Sequence, residues 1–312
     1  MAKTKAQGHV AVIIANTIFG LSVPVTNDLV GNYLSTSGYM LFRCSGAAII
    51  FWIISLFVPK EKVARRDLVT IVLGGMIGMA ISQTFAALSL SFTQPVYFSL
   101  MGTLTPIATM LLAALFISEK ITPLKLVGVV IGICGALLMV MVNWNTDSAQ
   151  SKNDLLGIFF AFMSLITWAI YLIITRKVSA KYSSVTQMKW VFLASFLLVI
   201  PMGWLVSDIM GTPYVFLTPS PADHAWTIAG EMSFVVVFAT VMGFFFIPYA
   251  MARLQATTVS VYTNLQPIVA SILSFALGVE ALTWDKPVAG VLVLLSAYLV
   301  TVAANKKEKS LL

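Results

Sequence analysis

The chain has 312 residues, 59% of them hydrophobic and only 10% charged, with a net charge of +7 and a mean hydropathy of +0.94. Soluble domains carry about 25% charged residues, so this composition excludes a water-facing globular surface and makes lipid the solvent for most of the chain. Cys44 and Cys134 both fall in apolar stretches without metal-ligand spacing and read as packing residues.

Ten apolar runs follow one another, near 9–30, 37–58, 68–91, 93–118, 124–142, 155–175, 188–207, 227–251, 255–278 and 287–304. Each is long enough to cross a hydrocarbon core of about 30 Å as a helix. Their continuous apolar character argues against the alternation of barrel strands. The expected fold class is therefore all-α integral membrane with ten transmembrane helices.

The first run follows Lys3 and Lys5 and imitates a signal peptide, but it is long and lacks a small-residue cleavage site before Thr26. It reads as a membrane helix carrying Asn16, Thr17, the pair Phe19-Gly20, Pro24 and, at its outer end, Asp28. The second run holds Arg43, the one cation well inside a span. Intramembrane charges are functional hypotheses by default. Arg43 could attract an anionic or carboxylate-bearing substrate, form a structural charge pair with Asp28, or snorkel outward; the structural readings are preferred. The third run contributes Gln83 and a close-packing Gly74-Gly75-Gly78 surface, and the fifth a Gly128-Gly132 surface.

The fourth run contains Leu104-Thr105-Pro106-Ile107, and the ninth repeats the phrase 161 residues later as Leu265-Gln266-Pro267-Ile268. A serine precedes each proline by seven residues (Ser99, Ser260) and a glutamate follows each by 13 (Glu119, Glu280). The sixth run carries Trp168-Ala169 and Tyr171, and the eighth carries Glu231 near its start and Pro248.

With the N-terminus inside, sixteen of the nineteen Lys and Arg residues fall in the connections on one side. Lys152 and Lys286 lie on the other side, and Arg43 is intramembrane. The positive-inside rule then places both termini in the cytoplasm of a multi-pass protein of the cytoplasmic (inner) membrane. The charge excess is a topology signal, and no nucleic-acid partner is expected.

Other pairs recur at steady offsets: Gly8 with Gly157, Phe19-Gly20 with Trp168-Ala169, Tyr33 with Tyr182, and Gln94 with Gln255. A duplicated unit of five helices must enter the membrane upside down the second time. Residues 1–150 and 151–312 therefore read as two inverted five-helix repeats, with the polar connection Asn143 to Asp154 as the seam. Ser207 to Ala225, with Pro213, Pro219 and Pro221, is the other long hydrophilic outer segment.

These marks (ten helices, two repeats, an aromatic-small pair in the first and sixth, and Pro followed by Glu then Gly in the fourth to fifth and ninth to tenth) resemble the EamA family of the drug/metabolite transporter superfamily. The resemblance covers essentially the whole chain. Two positions depart from it: Thr93-Gln94-Pro95 stands where small residues are usual, and Trp284 stands in the place of Pro123. The resemblance implies a transporter of small metabolites, with efflux as the family-level expectation.

A proline cannot donate to the carbonyl four residues earlier, so Pro106 and Pro267 are expected to be midplane helix breaks that free the Gly102 and Thr263 carbonyls. Such groups persist in a membrane only when buried in protein or facing a hydrated cavity. The candidate substrate-binding groups around them are Tyr97, Ser99 and Thr103 in the fourth helix and Ser260, Tyr262, Asn264 and Gln266 in the ninth. Ser99 and Thr103, like Ser260 and Asn264, are four apart and share a helical face. Asn16 in the first helix and Trp168 in the sixth complete the set. The competing reading for each is interhelical hydrogen bonding, worth about 0.6 kcal/mol. Glu119 and Glu280 are expected to anchor helix ends by bonding loop backbone, and Glu231 is the better lone candidate for proton coupling.

The leading expectation is a secondary transporter moving an amino acid or amphiphilic solute by alternating access, with a small-molecule substrate and the lipid bilayer as partners. Coupling to a proton or a counter-substrate stays open. No metal, cofactor or catalytic residue is expected, because His9 and His224 sit at flanks and no glycine-rich phosphate loop precedes Lys120 or Lys125. The alternatives are an integral-membrane enzyme, which would need clustered catalytic groups, and a channel or receptor.

Overall fold

A computed structural model describes residues 2–93, 95–142, 154–210, 224–276 and 284–309. Gln94, Glu280 and most of the two polar outer connections lie outside the described residues. Among the described residues every regular element is helical.

α1 (Ala2–Asp28) runs through Pro24 into a π turn, Leu29–Tyr33. α2 (Thr36–Leu56) starts at Ser35, whose hydroxyl accepts from the Gly38 N–H and caps the first turn. α3 (Arg65–Gly75) and α4 (Ser82–Phe92) are joined by a π segment, Met76–Ile81. α5 (Pro95–Gly102) and α6 (Thr105–Ile117) follow, then α7 (Pro123–Val142), α8 (Asp154–Ser179) and α9 (Ser184–Met210). α10 (Ala225–Phe234) and α11 (Gly243–Met251) are joined by a second π segment, Val235–Met242. α12 (Ala256–Val261) passes through a 3-10 turn, Tyr262–Asn264, into α13 (Leu265–Ala276), and α14 (Asp285–Lys309) follows.

Among the described residues, six continuous helical stretches are long and apolar enough to cross a membrane: Lys5–Asp28, Thr36–Leu56, Arg65–Phe92, Leu155–Ser179, Ser184–Ser207 and Ala225–Met251. Thr105–Ile117, Pro123–Gly135 and Gly290–Ala303 are shorter apolar helices. The fourth and ninth expected spans are each divided in two. Each break lies before its proline, not at it: Pro106 sits in the first turn of α6 and Pro267 is the third residue of α13. A proline ring clashes with the turn that precedes it but fits a helix start, where its missing N–H has no partner to lose.

Two buried apolar clusters hold the bundle. One includes Phe51 and Phe192, stacked at 5.4 Å, together with Phe244 and Cys44. The other gathers Ala11, Val12, Ala15, Met110, Ala113, Met251 and Val259 where α1, α6, α11 and α12 converge. Its small side chains let the helix backbones approach closely. Gly74, Gly75 and Gly78 form the expected packing surface, with Thr175, Val191 and Tyr171 occupying the space a Cβ would need. Cys134 is exposed, unlike Cys44, and joins an apolar periphery that includes Ile49, Leu56, Leu115, Phe116, Leu155 and Trp204. Water would not tolerate a surface of that kind, whereas lipid solvates it.

Candidate functional site

The two helix breaks face one cavity of about 130 Å³, which α1, α2, α4 and α8 close on the other sides. On the first-half side the helix tightens before it stops: Thr103 N–H donates to Ser99 O at 3.1 Å and Leu104 N–H to Met101 O at 3.0 Å. Ser99, Gly102, Thr103 and Thr105 line the cavity from there. Thr263, Asn264, Gln266 and Pro267 line it from the 3-10 turn and the start of α13.

Asn264 is 1% exposed, and neither its Oδ1 nor its Nδ2 has a hydrogen-bond partner among the described residues. Leaving a buried polar group unpaired costs about 1–3 kcal/mol. Gln266 is held differently: its Nε2 donates to Asn16 Oδ1 at 2.9 Å, while Asn16 Nδ2 donates to Val12 O at 2.9 Å. Asn16 therefore stands behind Gln266 and positions it without lining the cavity itself.

Aromatic rings form one wall. Trp168 and Phe19 both line the cavity and meet edge-to-face, with centroids 6.4 Å apart and planes at 90°. Trp168 also meets Phe244 at 5.7 Å and Tyr171 at 5.0 Å. Phe19 can occupy this place because Gly20 beside it lets α13 pass: a Cβ there would lie 2.7 Å from Gln266 O.

Arg43 lines the cavity from α2 and is 5% exposed. Its Nε donates to Thr240 Oγ1 at 2.7 Å, and its Nη1 donates to Gln83 Oε1 at 3.0 Å and to Tyr39 Oη at 3.3 Å. Thr240 is turned toward it by the second π segment, where its hydroxyl donates five residues back to Val235 O at 2.8 Å. π-bulges are frequent at functional sites. The expected pairing of Arg43 with Asp28 is not made. Asp28 accepts from Asn32 Nδ2 at 2.7 Å and faces the Glu231 carboxyl of α10. Nor does Arg43 snorkel, since its donors point to partners on α2, α4 and the π segment.

Of the other expected site residues, Ser260 is fully buried and donates to Thr257 O at 2.9 Å, away from the cavity. Tyr262 meets His9 Nδ1 through its hydroxyl at 2.9 Å. The 3-10 turn accounts for Ser260: it advances each residue by about 120° rather than 100°, so Ser260 and Asn264 no longer share a face. Tyr262 lies about 200° from both even in a regular α-helix. Tyr97 is half-buried on α5 but does not line the cavity, and Pro106 is buried behind the break. Ser22, Thr26, Tyr39 and Phe98, which the sequence did not single out, do line it. The signal available for Tyr39 was its i, i+4 spacing from Arg43.

Glu119 lies apart from the cavity and anchors a helix end as expected. It accepts from Ala256 N–H at 3.2 Å, from Thr257 Oγ1 at 2.7 Å and from Lys125 Nζ at 2.7 Å.

The profile of the EamA-like transporter family matches residues 6–141 and 155–302. The chain is 24% identical to the "Uncharacterized transporter YyaM" of Bacillus subtilis (strain 168), over 79% of this chain and 78% of that one. It is 24% identical to an "Uncharacterized transporter" of Archaeoglobus fulgidus, over 91% and 95%. It is 23% identical to the "Probable terminal-alkyne amino-acid exporter" of Streptantibioticus cattleyicolor, over 77% and 75%. A solved crystal structure superimposes with a TM-score of 0.71 at 17% identity, covering 99% of both chains, and so shares the fold. A helical bundle with lipid-compatible spans, a polar cavity at its helix breaks and a profile match over both halves together place the chain in the EamA-like transporter family, within the drug/metabolite transporter superfamily.

Proposed function

We propose that the protein is a secondary transporter that moves a small metabolite, an amino acid or an amphiphilic solute, across the cytoplasmic membrane by alternating access. The observation that carries this reading is that two helix breaks 161 residues apart, at Thr103 and at Asn264, face a single cavity. Broken helices from two repeats, meeting at a central site, are how many transporters bind substrate near the midplane. The repeats in this reading are residues 1–150 and 151–312, five helices each and inverted, with both termini cytoplasmic.

Several contacts support the inversion. Gly8 lies against Leu254, and Gly157 lies against Thr93; each partner maps onto the other at the offsets of the two repeats. π segments recur in the third and eighth spans. Phe19 and Trp168, counterparts at an offset of 149, touch each other at the cavity wall. The cavity reaches toward the outer ends of α1 and α4 through Thr26 and Leu90, while the small-residue cluster and the Glu119 contacts close the cytoplasmic half. This arrangement is the outward-facing state in the proposed topology. Efflux is the direction favoured by the name of the Streptantibioticus relative.

Reconstitution into proteoliposomes tests the reading. A panel of labelled amino acids and amphiphiles is expected to show saturable flux with trans-stimulated counterflow, altered by a pH gradient if protons couple. Asn264→Ala removes the unpaired amide and is expected to lower flux roughly tenfold or more. Unchanged flux in folded Asn264→Ala and Gln266→Ala proteins would overturn the central site. Flux without saturation or counterflow indicates a channel, and turnover in detergent indicates an enzyme.

A further inference from the structure

Arg43 is a permanent cation, 5% exposed, and no carboxylate among the described residues lies within ion-pair distance of it. The ion pairs among the described residues are Lys125–Glu119 and Lys181–Asp67, both elsewhere. Every group that Arg43 bonds is neutral: a threonine hydroxyl, a tyrosine hydroxyl and a glutamine carbonyl. The rings of Tyr39 and Phe244 lie 5.8 and 5.7 Å from its Cζ. Burying a charge costs several kcal/mol unless it is paired, and neutral dipoles with ring faces offset only part of that. Among the described residues the cavity lining contains no Asp or Glu, and Arg43 is its one formal charge.

The guanidinium has five N–H donors. The three hydrogen bonds engage the one on Nε and the two on Nη1, so both N–H groups of Nη2 are unengaged among the described residues. Because the other donors are anchored on three helices, the fork is held in place before any ligand arrives. Association then costs little ordering of the protein. The Phe19 and Trp168 rings supply an apolar wall in the same cavity, and Ser99 and Gln266 line it as neutral polar groups.

We propose that Arg43 is the anion subsite of the cavity and that the transported molecule carries a carboxylate, which Nη2 binds, and an apolar body that lies against the aromatic wall. This inference rests on the transport reading of the cavity. It makes the cation a selectivity element: an amine-only or neutral solute of the same shape leaves Arg43 uncompensated.

Matched pairs test this on the full-length wild-type chain in detergent, by ligand-induced shifts in melting temperature. The probes are L-phenylalanine and L-methionine with their C-terminal amides, and 4-phenylbutyrate with 4-phenylbutylamine, in chloride-free buffer. The acids are expected to raise the melting temperature and the amides and amine to fail to do so. Arg43→Gln is expected to weaken acid binding roughly 10- to 100-fold, and Arg43→Lys to recover part of it. The wild-type comparison stands even where a variant does not fold. Equal binding of acids and amides, no binding by any acid at millimolar concentration, or unweakened binding by Arg43→Gln overturns the assignment. Proteoliposome flux separates the two claims. Saturable flux of amides that ignores Arg43 overturns the anion subsite and leaves transport intact; acid binding without saturable flux overturns transport and leaves the subsite.

Discussion

Glu119→Gln should unlatch the cytoplasmic side of the protein. The carboxylate joins the end of α6 to the start of α12 through Ala256 N–H, the Thr257 hydroxyl and Lys125. The ion pair is well shielded, with side chains 3% (Lys125) and 11% (Glu119) exposed. A glutamine keeps an acceptor for Ala256 but replaces Glu119 Oε2, which accepts from both Thr257 and Lys125, with a donor. Two charge-assisted hydrogen bonds are lost at about 1.5–3 kcal/mol each. Lys125 keeps only the 3.4 Å bond to Gln255 Oε1. Breaking one partner of a buried pair costs about 3–5 kcal/mol. In the proposed cycle α6 and α12 part as the cavity opens inward, so the loss falls on the outward-facing state alone. At about 1.4 kcal/mol per tenfold, the balance shifts toward inward-open by roughly 10²- to 10³-fold. The assay is labelling of Ala15→Cys, at a position 0% exposed in the closed half, by a membrane-impermeant maleimide in inside-out vesicles. Cys44 and Cys134 are replaced beforehand. Labelling should accelerate steeply in Glu119→Gln and less in Thr257→Val. Equal protection in the Glu119→Gln and parent proteins would show that the contact is no gate.

Two further perturbations probe packing and the connection between α2 and α3. Gly20→Ala would place a Cβ 2.7 Å from Gln266 O and 2.9 Å from Val269 Cβ; overpacking of this kind costs about 1–3 kcal/mol. The melting temperature should fall, whereas Gly230→Ala, with open space around it, should leave it unchanged. Glu61, between α2 and α3, feels burial that raises its pKa, but hydrogen bonds from Thr186 and from the Ser183 N–H and hydroxyl, with the Lys189 charge, pull it below its ordinary value. A carboxylate depressed in this way adds stability above its unfolded pKa and loses it as pH falls through the lower folded value. Glu61 is mostly exposed, so the effect is under about 1 kcal/mol. Glu61→Gln should flatten the acid limb of a melting-temperature profile below about pH 4.5, and an unaltered limb would count against the tie to Ser183.

The spans were legible because the bilayer demands long apolar runs: 37–58 and 124–142 were expected where Thr36–Leu56 and Pro123–Val142 form. The breaks were legible only as neighbourhoods. A proline announces that the preceding turn is disrupted, but whether the helix kinks or restarts depends on tertiary packing. At the site, Ser99, Thr103, Asn264, Gln266 and Trp168 line one cavity, while Ser260 turns away because a three-residue change of helical pitch carries no composition signal, and Tyr262, two residues from Asn264, lies on another side of the helix. Arg43 shows the same limit from another side. Its depth could be read from its span, but its partners Thr240 and Gln83 are 197 and 40 residues distant, and a π segment sets the angle of one of them. Depth alone made Asp28 look like the natural partner.

In the inverted-repeat reading the latch at Glu119 has a counterpart at Glu280, and the sequence shows that the two cannot be equivalent. The groups that receive Glu119 are the N–H of Ala256 and the hydroxyl of Thr257. Stepping back by 161 residues gives Pro95 and Val96. Proline has no N–H to donate, and valine has no hydroxyl. In that reading both copies carry the glutamate, while the two residues that donate to Glu119 have no donating counterparts in the first repeat. A symmetric pair of latches would hold inward- and outward-facing states at similar free energy. Removing two donors from one side biases a chain of this kind toward the state in which the remaining latch is made, by an amount of the order of the bonds themselves, about 1.5–3 kcal/mol each. In the proposed topology that state is closed at the cytoplasmic face, with Arg43 beside a cavity that reaches toward the outer ends of α1 and α4. In the inverted-repeat reading the expected resting conformation of the proposed transporter is the one in which the Glu119 contacts are made.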